Sequence, residues 1–399
     1  MLATLPRMTE LSLADLRVLI RLDLNVPMQA GVITHNARIV RALPTIALAI
    51  EQGARVMIAS HWGRPTEGHC ESAFSLAPVA RALSELLGMA VPLVSDYLSR
   101  PPQPASGQVV LLENVRFNRG EKASDPVLSR QLAALCDVFV MDAFSCAHRA
   151  HASTVGVLDY APMVCAGPLM VEELSFLDRA LAAPERPLVA IVGGAKVSTK
   201  FGVLEHLVEK VDFLIPGGGI ANTFLKAQGI DVGRSLYEPE WVAKAEQLLV
   251  RSRVRGGVIV LPGDVVVSSS LDQGDTAQTV AVDAVPSNQA IFDIGTQTTE
   301  RYASVLAQAK TVVWNGPVGV FERVAFAAGT RRVAQAVATS NALTIAGGGD
   351  TLAALAQFNL TDTLSYVSTA GGAFLEYLQG DTLPAVASLQ SKHLAEQKE

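Results

Sequence analysis

The stretch "VAIVGGAKVSTK" (189–200) reads as an apolar, β-branched strand that runs into two glycines and then two lysines four positions apart. Glycines at a strand-to-helix junction bare backbone N–H groups at a helix start, where the helix dipole also favours an anion. The pattern is not the P-loop, which has glycine directly before the lysine and Ser or Thr directly after. Here Ala195 precedes Lys196 and Val197 follows. If the segment is helical, Lys196 and Lys200 share one face. The plainer alternative is a solvated lysine pair, so the other strand ends must decide.

Those ends repeat the theme. Short apolar runs recur as "RVLIRLDLNV" (17–26), "ARVMIAS" (54–60), "QVVLLENV" (108–115) and "VFVMDAF" (138–144). Later come "DFLIPGGG" (212–219), "GGVIVLPGDVVV" (256–267), "AIFDIG" (290–295), "TVVWNG" (311–316), "ALTIAGGG" (342–349) and "LSYVST" (364–369). Between many of them lie amphipathic segments such as "SLAPVARALSELLG" (75–88) and "YEPEWVAKAEQLLVRSR" (237–253). Continuous apolar strands alternating with helices predict parallel sheets covered on both faces, and two such sheets are the natural partition. In such sheets ligands bind beyond the carboxyl ends of the strands, so two crevices are expected.

Length and composition agree. At 399 residues with 49% hydrophobic content, the chain suits two cores. No apolar run reaches 18 residues, so no membrane span is expected, and no secretion signal is visible. The four cysteines have no paired spacing and read as free thiols of a reducing cytoplasm. A net charge of −6 argues against nucleic acid as a partner. Through residue 165 basic and acidic residues balance at 14 each, and 13 of those 14 basic residues are arginine. Arginine's planar fork suits phosphate and carboxylate; a codon bias would give the same count, so position decides. Met170, Leu174, Leu177 and Leu181 form one apolar helical stripe, closed by Pro184 and Pro187, and read as a connector helix between domains.

In the second half, "TIAGGGDT" (344–351) is another strand–glycine–helix transition. Asp350 there is a helix N-cap if read alone, or one carboxylate for Mg²⁺ if phosphates supply further ligands. "STAGGAF" (368–374) is a third such turn, and "PGGG" (216–219) offers a side-chain-free surface for a ring. "VVWNGPVGVFE" couples Asn315, which could donate to a phosphate, with Glu322, which could bond ribose hydroxyls, though each alone suits an ordinary loop. In the first half, Arg21, Asp23 and Asn25 fall on one side of a strand by period two. His61 and Arg64 follow a strand, "ENVRFNRGEK" offers Arg116, Arg119 and Lys122, and "AHRAH" offers His148, Arg149 and His151. With Arg38 these make an anion pocket. Neither a G-x-S-x-G elbow nor a G-x-G-x-x-G opening appears, which weakens hydrolase and dinucleotide readings.

From about residue 11 to about residue 390 the chain resembles phosphoglycerate kinases. The resemblance rests on "RLDLNVP", "SHWGRP", "LLENVRFNRGEK", "DAF..AHRAHAST", "GGAKVSTK", "GGGIANTFL", "VVWNGPVGVFE", "GGGD" and "STAGGAFLEYLQG", in family order. It implies two doubly wound parallel-sheet α/β domains joined by a helix. Residues 1–168 would be the 3-phosphoglycerate-binding domain, 169–184 the connector, 185–370 the nucleotide-binding domain, and 371–399 a segment returning to the first. It implies a monomeric cytoplasmic enzyme of glycolysis, acting on small molecules rather than nucleic acid or membrane. The reaction would be Mg²⁺-dependent transfer between 1,3-bisphosphoglycerate and ADP, giving 3-phosphoglycerate and ATP after hinge closure.

By the same resemblance Arg21, Asp23, Asn25, Arg38, His61, Arg64, Arg116 and Arg149 would bind the glycerate substrate. Arg38, Lys196, Gly371 and Gly372 would surround the phosphoryl in flight. Gly193, Ala195, Lys200, Gly217, Asn315, Glu322, Gly348, Gly349, Asp350 and Thr351 would bind nucleotide, with Asp350 orienting Mg²⁺. Several positions depart from the family pattern: Trp62, Ser145 with Cys146 in place of the frequent Gly-Thr, Thr199, Gly263, Thr296, Ala370 and Phe374. If position 370 requires positive φ, a Cβ there costs about 1–2 kcal/mol. No departure removes a charged site residue, so an active enzyme is expected rather than an inactive, nucleotide-binding paralogue.

Overall fold

The segment "RVLIR" forms β1 (Arg17–Arg21), whose four residues after Arg17 are all buried, as a strand covered on both faces requires. The computed structural model describes residues 5–396. After β1 comes a small hairpin of β2 (Met28–Gln29) and β3 (Val32–Ile33). Then follow β4 (Arg55–Ala59), β5 (Leu93–Val94), β6 (Val109–Leu112), β7 (Val138–Met141) and β8 (Met163–Ala166). The first sheet runs β5-β6-β4-β1-β7-β8 with every neighbouring pair parallel. Its strand order reverses beside β1, between β4 and β7, and this puts a crevice at the carboxyl ends of those strands.

The second part opens with β9 (Leu188–Gly193), all six residues buried, then β10 (Phe213–Gly217) and β11 (Val258–Ile259). An antiparallel trio follows: β12 (Asp264–Ser268), β13 (Gln278–Ala281) and β14 (Ala290–Ile294), in the order β13-β12-β14. The chain then returns through β15 (Thr311–Asn315), β16 (Leu343–Gly347) and β17 (Tyr366–Ser368). The second sheet is β11-β10-β9-β15-β16-β17, again all parallel, with its reversal between β9 and β15.

The chain divides into two units, one reaching Ser175 and resuming at Thr382, the other Phe176–Asp381. The boundary falls inside the helix Pro168–Leu181, whose stripe Met170, Leu174, Leu177 and Leu181 is buried as its spacing predicts. Asp142, just past β7, holds that helix's first turn: its carboxylate accepts the Met170 N–H (2.9 Å) and the Thr45 hydroxyl (2.5 Å). Burial raises its pKa to about 7. The helix Gly371–Leu378 lies in the second unit, where the Tyr377 hydroxyl donates to Asp178 (2.5 Å). The helix Pro384–Glu396 lies in the first, with the Ala385 N–H on the Ala147 carbonyl (3.1 Å).

Three details differ from the sequence reading. "RLDLNV" is not strand throughout: β1 stops at Arg21, and Asp23 and Asn25 lie in the segment beyond it. The alternation persists, with Leu22, Leu24 and Val26 buried, because the extended segment still packs against the core. "GGVIVLPGDVVV" supplies β11 and β12 to different sheets; Pro262, lacking an N–H, falls at the break. "MVCA" (163–166), absent from the strand-like runs of the sequence, is the edge strand β8 of the first sheet.

Candidate active site

In the first unit the crevice is built by residues just beyond β1, β4, β6 and β7. Ser60 ties two of those ends together, donating to the Leu22 carbonyl (2.9 Å) and accepting the Leu24 N–H (2.9 Å). The Asn25 side chain accepts the Gly63 N–H (3.0 Å), and Trp62 Nε1 donates to the Val26 carbonyl (2.8 Å). Buried Asn114, which the sequence did not single out, donates to the Trp62 and Phe74 carbonyls (2.8 and 2.9 Å). The loops carrying Asp23, Asn25, His61 and Arg64 are therefore pinned to one another. Arg38, in the first turn of the helix Ala37–Glu51, pairs with Asp23 (2.8 Å) and donates to the Asn25 carbonyl (3.0 Å).

Arg21 is 2% exposed and spends its donors within the protein. Nε reaches Ser153 Oγ (3.0 Å), Nη1 the Leu22 carbonyl (2.6 Å) and Nη2 His61 Nδ1 (3.2 Å). Guanidinium can only donate, so His61 Nδ1 accepts and Nε2 carries the ring hydrogen. Burial and the charges of Arg21, Arg116, Arg149 and Arg38 push the His61 pKa well below its ordinary value. His61 is thus a neutral donor. Behind Ser153 lies Glu121, fully buried, which accepts the Ser153 hydroxyl (2.6 Å) and N–H (3.1 Å).

Arg116 is buried on the turn Val115–Phe117, with Nη1 on the Gly63 carbonyl. Desolvation and neighbouring Arg21 and Arg149 lower its pKa. Among the described residues Arg21, Arg64, Arg116 and Arg149 have no carboxylate within ion-pair distance. Cations gathered without acids repel one another unless an anion joins them. His151 is held neutral by the same field, its pKa pushed to about 4, chiefly by burial. Arg119 and Lys122 are exposed, on a loop whose N–H groups bond Glu67.

In the second unit the reversal between β9 and β15 carries the other half. Gly193 ends β9 where backbone approaches backbone: a Cβ there would lie 1.8 Å from the Pro317 carbonyl oxygen. Lys200 Nζ donates to the Gly193 carbonyl (2.6 Å) and the Asn315 carbonyl (3.3 Å), bridging the two strand ends. Burial lowers its pKa to about 8, opposed by Asp350. The expectation that Lys196 and Lys200 share a helical face is corrected. The helix begins only at Phe201, and Lys196 sits exposed in the preceding turn, where Val197 is buried and Lys200 N–H bonds the Val197 carbonyl (2.9 Å).

Asn315 is buried at the end of β15; Nδ2 donates to the Gly347 carbonyl (2.8 Å), and Oδ1 has no partner among the described residues. Thr351 Oγ1 donates to the same carbonyl (2.9 Å) and accepts the Gly316 N–H (2.7 Å). Gly348 caps the helix Gly349–Gln357, and Asp350 makes no capping bond, so the N-cap reading of Asp350 fails. Asp350 is exposed, and it lines a cleft of about 390 Å³ with Gly194, Ala195, Gly218, Gly219 and Glu322. Gly217, just before that surface, ends β10. The far wall is apolar and comes largely from β12 and β14: Val265, Ile291 and Phe292. The sequence reading missed that wall because "DVVV" and "AIFDIG" look like ordinary core strands. Burial raises the pKa of Asp293, also on the wall, to about 7; its carboxylate accepts the Gly329 N–H (2.7 Å).

The departures are accommodated. Ala370 has φ −91°, so it carries no left-handed strain; the positive φ (+26°) falls on Gly371, with Gly372 following in the same helix. Fully buried Phe374 packs where Gly347 has no side chain, since a Cβ at Gly347 would lie 2.5 Å from its ring. Thr199 bonds the Lys196 carbonyl (2.9 Å), Thr296 opens the helix Thr296–Gln308, and the Gly263 N–H bonds Thr298 (3.0 Å).

Four arginines around His61 in one unit, without ion-pair partners among the described residues, and a glycine-floored, apolar-walled cleft beside Lys200 in the other, define a phosphotransferase. Comparison with known proteins gives the particular family. The phosphoglycerate kinase family model matches residues 8–381, and the chain belongs to that family. It is 57% identical to a phosphoglycerate kinase of Coxiella burnetii over 385 residues, covering 96% of this chain and 98% of the relative. The solved structure of a phosphoglycerate kinase from Coxiella burnetii superposes with a TM-score of 0.95 at 57% identity, covering 97% of this chain and 99% of that one. That from Pyrococcus horikoshii OT3 gives 0.80 at 33% identity, covering 96% and 98%.

Proposed function

We propose that the chain reversibly transfers the acyl phosphate of 1,3-bisphosphoglycerate to ADP, giving 3-phosphoglycerate and ATP, as a cytoplasmic monomer. The observation that carries this reading is the set of four arginines without acidic partners beside a neutral His61. Arg64, Arg116, Arg149 and His61 Nε2 bind the phosphate that stays on the glycerate, while Asp23 and Asn25 orient its backbone. Arg21 acts one step back, by fixing His61.

Glycerate carboxylate is ionised at neutral pH, so no general base is required. The obstacle is repulsion between it and a polyphosphate, and fixed cations lower it in the transition state. Arg38 from the first unit and Lys196 from the second supply those cations, with Gly371 and Gly372 offering backbone at the reacting group. The reaction requires both to meet one phosphoryl group, with the attacking oxygen about 3–3.5 Å from phosphorus and in line with the bond that breaks. Closure of the two units supplies that approach and excludes water. Lys200 holds the nucleotide phosphates with Asn315 and Thr351, and the apolar cleft takes the base while Glu322 reaches the ribose.

Among the described residues no three His, Cys, Asp or Glu side chains gather to cage a metal. Asp350, an exposed carboxylate lining the cleft, fits Mg²⁺, which takes one or two carboxylates plus phosphates and water. Bound there with nucleotide, Mg²⁺ would neutralise phosphate charge. A coupled assay with 3-phosphoglycerate, ATP and Mg²⁺ tests the proposal. Turnover abolished by a chelator is expected. Folded protein without turnover refutes it, and nicotinamide-dependent absorbance change without ATP would point to a dehydrogenase.

A further inference from the structure

The Ser145–Cys146 pair, which stands where the family pattern frequently has Gly-Thr, leaves a hydroxyl inside the arginine crevice. Ser145 lies on the short turn Phe144–Cys146 just beyond β7, half-buried, and its Oγ donates to Asp23 Oδ2. The same oxygen receives Arg38 Nη1 at 2.8 Å, while Asp23 Oδ1 accepts the Asn25 N–H at 3.1 Å. One carboxylate is thus held from three directions, by the β1 segment, the helix Ala37–Glu51 and the β7 turn. The Ser145 bond crosses the crevice where the strand order reverses, from the end of β7 to the end of β1.

We infer that Ser145 is a positioning residue of this chain, fixing Asp23 and thereby limiting how far Asp23 holds the Arg38 guanidinium. The inference rests on the function proposed above. A carboxylate oxygen has two lone-pair sites, and here a hydroxyl takes one and arginine the other. Hydrogen bonds to ionised acceptors are short and directional, so the carboxylate cannot turn without breaking one. Remove the hydroxyl and the freed lone pair draws the guanidinium further onto Asp23. Arg38 is then less available to the reacting phosphoryl, and Asp23 loses the orientation with which it meets the glycerate hydroxyl. Glycine at this position cannot supply the restraint; threonine, keeping the hydroxyl, can.

The test is Ser145→Ala beside Ser145→Thr, in the full chain with 3-phosphoglycerate, ATP and Mg²⁺. Ser145→Ala is expected to lower kcat/KM for 3-phosphoglycerate about tenfold, or about 1.4 kcal/mol, through both a higher KM and a lower kcat. KM for ATP and Tm should stay unchanged, and Ser145→Thr should recover most of the loss. A merely structural serine would lower Tm or active fraction and leave both KM values alone. Binding of 3-phosphoglycerate alone, followed by calorimetry, separates the two levels of the argument. Wild-type binding that Ser145→Ala leaves within twofold overturns the role of Ser145. A folded wild type that binds no 3-phosphoglycerate overturns the proposed function and this inference with it.

Discussion

Titration of Lys200 gives the sharpest prediction. Its ammonium donates to the Gly193 and Asn315 carbonyls at the ends of β9 and β15, beside the cleft proposed for nucleotide, and burial brings its pKa from 10.5 to about 8. A group with pKa near 8 is about 90% protonated at pH 7 and about 10% at pH 9. Only the charged form draws nucleotide phosphate, so kcat/KM for ATP should fall about tenfold from pH 7 to pH 9, with its midpoint near 8. That ratio reports the free enzyme. Bound phosphate favours the charged amine, so kcat itself should fall later, at higher pH. Lys200→Met should give a flat profile at or below the wild-type level at pH 9. Initial rates at subsaturating ATP and saturating 3-phosphoglycerate measure this. The sign for stability is opposite. Between about pH 8 and 10.5 the folded chain binds fewer protons at Lys200 than the unfolded chain, so this group makes stability rise with pH there. A wild-type kcat/KM that stays level to pH 9, or a Met variant with the same decline, would refute the assignment of Lys200 to the phosphates.

Two further outcomes follow from the site. Arg116→Ala should raise KM for 3-phosphoglycerate by about 10–100-fold, the worth of a hydrogen bond between charged groups. Its Tm should change little, because deleting a cation disfavoured first by burial and then by Arg21 and Arg149 also relieves desolvation and repulsion; a KM change below threefold would show Arg116 off the substrate. Ala370→Gly, judged by chemical denaturation and kcat, should cost about 0.5–1 kcal/mol of stability with kcat within twofold. The reason is that φ −91° suits any L-residue, and a tenfold gain in kcat would contradict it.

Much of the architecture is legible in the chain because parallel strands buried on both faces must be continuously apolar. "LVAIVG" and "RVLIR" therefore announce themselves, and the stripe Met170, Leu174, Leu177, Leu181 announces a helix for the same reason. Charged residues at or beyond the ends of such strands are conspicuous, which is why Arg21, His61, Arg116 and Lys200 stand out before any coordinates. What local pattern cannot carry is the partner of each group. Arg21 reads as a substrate ligand because a strand-end arginine costs too much to bury idly; only the Ser153 and His61 contacts turn it inward. Lys196 and Lys200 read as a helical pair because spacing alone does not show that the helix waits until Phe201. Asp350 looks like a cap until the helix start shows no capping bond.

The sequence by itself determined the two doubly wound sheets, the connector stripe and the charged inventory at the strand ends, since periodicity and burial are local demands on composition. Tertiary structure alone decided the apolar wall of β12 and β14, the tautomer of His61 and the sharing of Asp23 between Arg38 and Ser145. Each of these joins residues far apart in the chain, and hydrogen bonds and ion pairs act over a few ångströms of space whatever the distance in sequence.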